Sequence, residues 1–342
     1  MLNVNEVKIP GIEKIELPLM TKVQQIIPDD HITDVSIAIN NEMNRFLENY
    51  SNPFLNKKVA ITAGSRGINR IAEVIKSLVA EIKLLGGSPF IVPAMGSHGG
   101  GEAEAQKEIL ANYGITEEKM DAKIVSSLKV EKVGETKDGI PVFVDSESLQ
   151  ADAIVVVNRV KVHTDFAGDV ESGLMKMMAI GLGKHVGAST LHYYGFDLFS
   201  ELIPEVGLKI IEKTPIAMGV SLVENAYDKL CLIKISKPVD FYQDEKELLK
   251  MQKKLMPEIP FEEIDILIVD EIGKEISGSG MDTNVVGRSK NIEKNIKIIL
   301  PLDLTDSSHG NAAGIGLSDI TTKKLFDKID FNITYTNILT SG

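Results

Sequence analysis

Cysteine is all but missing from this chain. Cys231 is the only one in 342 residues, which excludes an intrachain disulfide, a cysteine zinc cluster and an iron–sulfur centre built from the chain alone. A reducing compartment is the expected setting. Positive charge is also in deficit: the formal net charge of -12 argues against a nucleic-acid-binding surface and against docking on anionic lipid. A small-molecule ligand is expected instead. Nowhere is there an apolar run long enough to span a bilayer, and the N-terminus, with Pro10 and Pro18, has no apolar signal-peptide core, so a soluble, cytoplasmic protein is expected. Internal repeats and low-complexity tracts are absent. The glycine loops match no phosphate-binding P-loop, and no Gly-x-Gly-x-x-Gly opens a helix in a full βαβ context, which weakens nucleotide-triphosphate and NAD readings.

What is present is 43% hydrophobic residues in a chain longer than a single core usually supports, so two domains are expected. The boundary falls at the Pro257 to Pro260 linker, giving an N-terminal α/β domain over 1–256 and a C-terminal α/β domain over 261–342, the latter expected to be short or truncated. In the first, the spacing predicts a helix over 33–50, a strand over 58–63, a turn at Gly64-Ser65-Arg66-Gly67 and a helix over 68–85. The unit recurs as a strand over 89–94, a turn from Gly96 through His98 to Gly101 and a helix over 102–113. Strands alternating with helices at this interval predict mainly parallel sheets with right-handed crossovers. Ligands of such sheets bind outside the carboxyl ends of the strands. Arg66 and His98 both stand there, each just before a helix N-terminus where backbone N–H groups favour an anion. For each, an ordinary turn or loop contact is the competing reading.

A β-branched run, Ile154 to Val157, predicts a strand buried on both faces, and it delivers His163 to the same rim. The segment Gly173 to Gly183 is apolar all round except for Lys176, which for a helix predicts burial. A buried ammonium tends to lose its charge, find a carboxylate or be consumed in a covalent bond. Asp169 and Glu171 lie upstream as possible partners, so residue types alone leave open a structural ion pair or a functional amine. Lys184 and His185 read as a helix C-terminal pair favoured by the dipole, and His192 as lying in a further helical stretch, with a backbone-bonded core histidine as its ordinary reading. Two strands over 215–235, a helix over 244–255 and a second α/β unit with strands over 264–269 and 296–302 complete the pattern.

The set His163-Thr164-Asp165-Phe166-Ala167-Gly168, Ser172-Gly173, Lys176 and His192 resembles the nickel-dependent lactate racemases and their 2-hydroxyacid racemase and epimerase relatives, over about 58–339. The resemblance implies two α/β domains with the active site in the cleft between them. It also implies a nickel-pincer nucleotide (pyridinium-3-thioamide-5-thiocarboxylic acid mononucleotide) tethered to Lys176, with Gly168, Ser172 and Gly173 beside it and His192 on the nickel. By the same resemblance His98 and His163 are the acid and base. Arg66, with Arg288 and Lys290 from the second domain, holds the substrate. The resemblance further implies that one histidine takes the hydroxyl proton while the Cα hydride moves to the cofactor ring, and that the planar 2-oxo acid accepts the hydride back on the opposite face. Asp165 is placed to orient His163. The implied partners are a hydroxyacid and the cofactor-synthesis enzymes.

The residues agree with that chemistry. Nickel takes imidazole nitrogen and soft sulfur, which one cysteine cannot supply, and paired histidines titrate near working pH. The sequence departs from the family pattern at Ala63-Gly64-Ser65-Arg66-Gly67, where Asp-x-Thr-Arg-Pro is common, at Gly99 in place of an arginine, in a longer spacing from His163 to Lys176, and at Gly287, Arg288 and Lys290. These positions are on the substrate side and point to a hydroxyacid larger or more polar than lactate. Two other readings stand beside this one: a metallohydrolase with zinc on His98, His163 and His192, and a non-catalytic small-molecule-binding homologue.

Overall fold

Short apolar runs bounded by glycine turns become the central strands. The computed structural model describes residues 10–341 except 17, 49, 66, 165 and 290–293. Arg66, Asp165 and Lys290 thus lie outside the described residues. The first helix, α1, spans Val35–Glu48. Strand β1 (Lys58–Ala63) is followed by α2 (Ile71–Leu84), β2 (Ser88–Pro93) and α3 (Ala103–Asn112). A hairpin, β3 (Val130–Glu135) and β4 (Pro141–Asp145), precedes β5 (Ala153–Arg159). Then come α4 (Lys184–His192), α5 (Phe199–Lys213), β6 (Ile216–Glu224), β7 (Leu230–Ser236) and α6 (Phe241–Leu255).

The main sheet has the order β2-β1-β5-β6-β7. Pairs β1–β2, β1–β5 and β5–β6 are parallel and β7 closes the edge antiparallel. This mixed α/β fold with a mainly parallel sheet is the class the sequence predicts. Alternation along the strands splits the core in two. Val59, Ile61, Val155 and Val157 pack with Ile39 of α1 and Val74 and Leu78 of α2. Ala60, Ile154 and Val156 face the other way, against Met175, Met178 and the α5 residues Phe199, Ile203 and Val206. Period-two burial on both faces is what helices on both sides of a sheet require.

The order also fixes where a ligand goes. From β1 the chain moves outward to β2, then returns to lay β5 on the opposite flank of β1, so the crossovers diverge between β1 and β5. That divergence opens a crevice at the carboxyl ends. Ser65, Asn158 and His163 all emerge there.

Beyond α6, β8 (Glu263–Ile272) and β9 (Asn295–Leu304) pair in parallel as a separate two-stranded sheet. Ile272, Ile299, Leu304 and Leu325 form its own apolar cluster, with α7 (Lys323–Lys328) and α8 (Phe331–Ser341) following.

Candidate active site

The two loops after β1 and β2 meet. Ser65 Oγ is hydrogen-bonded to Nδ1 of His98. The His98 loop is held from behind by Gln106 of α3, whose Nε2 donates to the Gly96 and His98 carbonyls at 3.1 Å each. Gly96 has a φ of 59°, and a Cβ there would stand 3.3 Å from Ile180. A side chain at Gly64 would likewise stand 3.0 Å from Met177. Both loops therefore rest on the segment that follows Lys176, and their glycines are what permit that approach.

Lys176 ends a single α-turn, Leu174–Lys176, which widens at once into a π-helix over Met177–Leu182. Such wide turns are uncommon and recur at functional positions. The entry to the turn is held from two sides. Asn158, at the end of β5, donates to the Gly173 carbonyl at 2.8 Å. Glu245 of α6 accepts from the Met175 N–H at 3.0 Å. Glu245 has no exposed surface, and burial pushes its carboxyl up to about 7, against the opposing pull of the Met175 and Leu174 N–H groups.

Full burial of Lys176 is the expectation that fails. Its side chain is half-buried, with Nζ 5.8 Å from the centre of the Phe166 ring. Among the described residues the lysine with no exposed surface is Lys184. Lys184 is not at a helix C-terminus with His185, as its sequence context suggests, but opens α4 with a φ of 52°. Its ammonium donates to the Pro93 carbonyl and lies 3.5 Å from Asp145, itself fully buried. Desolvation lowers the Lys184 pKa, and the Asp145 charge opposes the shift. The carboxylates expected beside Lys176 each have another lysine as a partner. Asp169 pairs with Lys246 at 2.7 Å, and Glu171 with Lys253 at 2.9 Å.

Glu171 is buried and organises the histidine loop. It accepts from the His163 N–H at 2.7 Å and the Gly168 N–H at 3.4 Å. The His163 ring then packs on Phe166 at 4.4 Å and on Phe196 at 5.9 Å. From the far side, His192 meets Phe196 at 5.4 Å and Phe199 at 5.1 Å. His192 is the last residue of α4 and solvent-exposed rather than a core histidine. Desolvation of its ring, then the nearby Lys176 charge, lowers its pKa, which favours the neutral imidazole and its free lone pair. His163, Lys176 and His192 are thus gathered around Phe166, Phe196 and Phe199. Phe166 belongs to the His163 motif, whereas Phe196 and Phe199 are not singled out by the sequence, although His192, Phe196 and Phe199 at intervals of four and three residues present the signal of one shared face.

Of the remaining expected residues, Ser172 bridges to Lys161 through its backbone, and Gly173 leaves the space that the Glu245 carboxylate fills. Arg288 is not with the histidines. It pairs with Asp319 at 2.9 Å and donates to the Ile296 carbonyl at 3.3 Å, in an open depression of about 500 Å³ that Gly287, Ser289 and Leu317 also line. A second cavity, of about 200 Å³, is lined by Arg159, Lys161, Glu224 and Gln252 from one side and Ile276 and Asp282 from the other. Among the described residues no three His, Cys, Asp or Glu side chains could hold a metal between them. A zinc centre built from His98, His163 and His192 therefore finds no support, whereas one imidazole completing a metal's coordination does not need such a trio. No described helix is long and apolar enough to cross a membrane.

The sequence model of the lactate racemase N-terminal domain matches residues 19–196, a span that includes His98, His163, Lys176 and His192. No curated protein matches the chain. The lactate racemase apoprotein from Thermoanaerobacterium thermosaccharolyticum is similar in structure, at 15% identity over 82% of this chain and 72% of that one, with a TM-score of 0.55. A protein from Thermotoga maritima is similar at 16% identity over 81% and 72%, with a TM-score of 0.58. At such identities the likeness shows the fold.

Proposed function

The chain belongs to the lactate racemase family by its N-terminal domain, and from that premise we propose that it racemises or epimerises a 2-hydroxyacid with a nickel-pincer nucleotide carried on Lys176. The observation that carries this reading is the convergence of Lys176, His163 and His192 on the phenylalanine cluster. The donor set fits the group. His192 offers an imidazole suited to nickel, while Cys231, hydrogen-bonded to the Val223 carbonyl, stands on β7, so sulfur donors have to arrive with the cofactor. Lys176 would hold the nucleotide and His192 the metal. When bound, the group supplies a ring that accepts and returns a hydride.

The chain's own residues supply the rest. His163 and His98 take and return the proton of the substrate hydroxyl, one for each mirror form, as general base and acid. The Ser65–His98 hydrogen bond and the Glu171 contact to the His163 backbone fix where those imidazoles stand. Phe166, Phe196 and Phe199 form an apolar wall that keeps water from the reacting carbon. Arg66, Arg288 and Lys290 are the proposed cations for the carboxylate, Arg288 and Lys290 reaching it across a cleft between the two α/β units. Gly67 and Gly99, where the family usually has proline and arginine, are departures on the substrate side and support a hydroxyacid larger or more polar than lactate.

Intact-mass measurement on protein produced together with the cofactor-synthesis enzymes tests the proposal. An adduct on the wild-type chain that is lost in Lys176→Ala is the expected outcome. Normal loading of Lys176→Ala would remove the reading. Single-enantiomer hydroxyacids and aldonates, followed by chiral chromatography, then identify the substrate.

A further inference from the structure

We propose that Glu245 is the positioning residue for Lys176, acting as a buried carboxylate cap supplied by α6 to the turn that carries the amine. Three observations converge on it. Glu245 lies fully buried on the inner face of α6 with Phe241, Leu248 and Leu249, a position where a leucine would otherwise be the stable choice. Its Oε2 accepts from the Met175 N–H at 3.0 Å, while its Oε1 is buried with no hydrogen-bond partner. Gly173 has no side chain where one would collide with the Glu245 carboxyl group.

A half-satisfied carboxylate in an apolar layer is costly, and its single well-formed contact is to the turn Leu174–Lys176. First-turn N–H groups have no partner within their own helix, and an acceptor there sets both the start of the helix and its direction. The Asn158 bond to the Gly173 carbonyl fixes the residue just before. With both ends of the entry pinned, the Lys176 side chain leaves the core at one place, beside Phe166. Glu245 acts through Lys176 and is not itself aimed at the crevice.

This inference rests on reading Lys176 as the working amine, so its test reads that amine directly and needs no cofactor. Purified full-length protein is labelled with a trace of acetic anhydride at pH 8. Peptide mass spectrometry then gives the extent of labelling at Lys176 relative to exposed Lys76 of α2. Glu245→Ala is expected to raise the ratio about tenfold, the size of a lost cap. Glu245→Gln keeps a carbonyl acceptor for the Met175 N–H and is expected to stay at the wild-type ratio. An unchanged ratio in a cooperatively folding Glu245→Ala protein overturns the proposal. So does a rise shared by Lys184 and Lys253, which would mean general loosening. Should Glu245→Ala fail to fold, Gly173→Ala displaces the same carboxylate from the other side, and an unchanged ratio there overturns it equally. Failure of the racemase reading, seen by intact mass, leaves the labelling result standing.

Discussion

Replacing Glu245 by glutamine should make the protein more stable at alkaline pH, in a way that reports the carboxylate's buried position. Glu245 is held up to about 7 from an ordinary 4.5, chiefly by burial. Below pH 4.5 both folded and unfolded chains carry the proton, so this group adds no pH dependence. Between 4.5 and about 7 only the folded chain binds it, and stability falls as pH rises. Above 7 the ion is enclosed, and the full penalty is roughly 3 kcal/mol, at about 1.4 kcal/mol for each pH unit. Glutamine has no proton to lose, so the penalty vanishes with it. Guanidinium unfolding at pH 5, 6, 7 and 8 should therefore show the variant level with or below wild type at pH 5 and ahead by roughly 2–3 kcal/mol at pH 8. Two stability profiles that run parallel from pH 5 to 8 would show that Glu245 is not enclosed as described.

Three further outcomes are expected. Lys184→Ala leaves Asp145 enclosed without its cation and should cost about 3 kcal/mol in chemical denaturation, much of it recovered by adding Asp145→Asn. Gly219→Ala places a Cβ 2.6 Å from the Phe241 ring and should cost about 1–3 kcal/mol through overpacking beneath the Lys176 turn, measured as a lower thermal midpoint. Arg288→Ala removes a part-exposed pair with Asp319, so stability should change by about 1 kcal/mol or less. If Arg288 binds the substrate carboxylate, KM rises with the fold unchanged; an unaltered KM would assign it to Asp319 alone.

The strands and their loops were legible because their signals are local. Lys58–Ala63 and Ser88–Pro93 are short apolar runs closed by glycine turns, and the β-branched stretch that becomes β5 announces a strand covered on both faces. Chain order then put His98 and His163 at one rim. Burial of the lysines was misread, since an apolar neighbourhood in sequence says which segment is covered but not which way one long side chain leaves it. Lys176 is half-buried beside Phe166, while Lys184 turns inward to Asp145 of β4. The Glu245 contact links residues 70 positions apart, and no periodicity records a pairing of that kind. The Phe196 and Phe199 spacing was readable, but it gains meaning only once His163 arrives from another strand end.

Helix α6 has a mechanical consequence. Through Glu245 it grips the turn bearing Lys176, through Gln252 it accepts from the Val162 N–H at 3.2 Å, and through Lys253 it holds the carboxylate that anchors the His163 loop. It then runs out at Leu255, shortly before the residues that lead into β8. Amine and imidazole are thus bolted to one rod whose far end is the tether of the C-terminal unit. One helix therefore sets the spacing of the two groups, since it anchors both the turn that carries the amine and the loop that carries the imidazole.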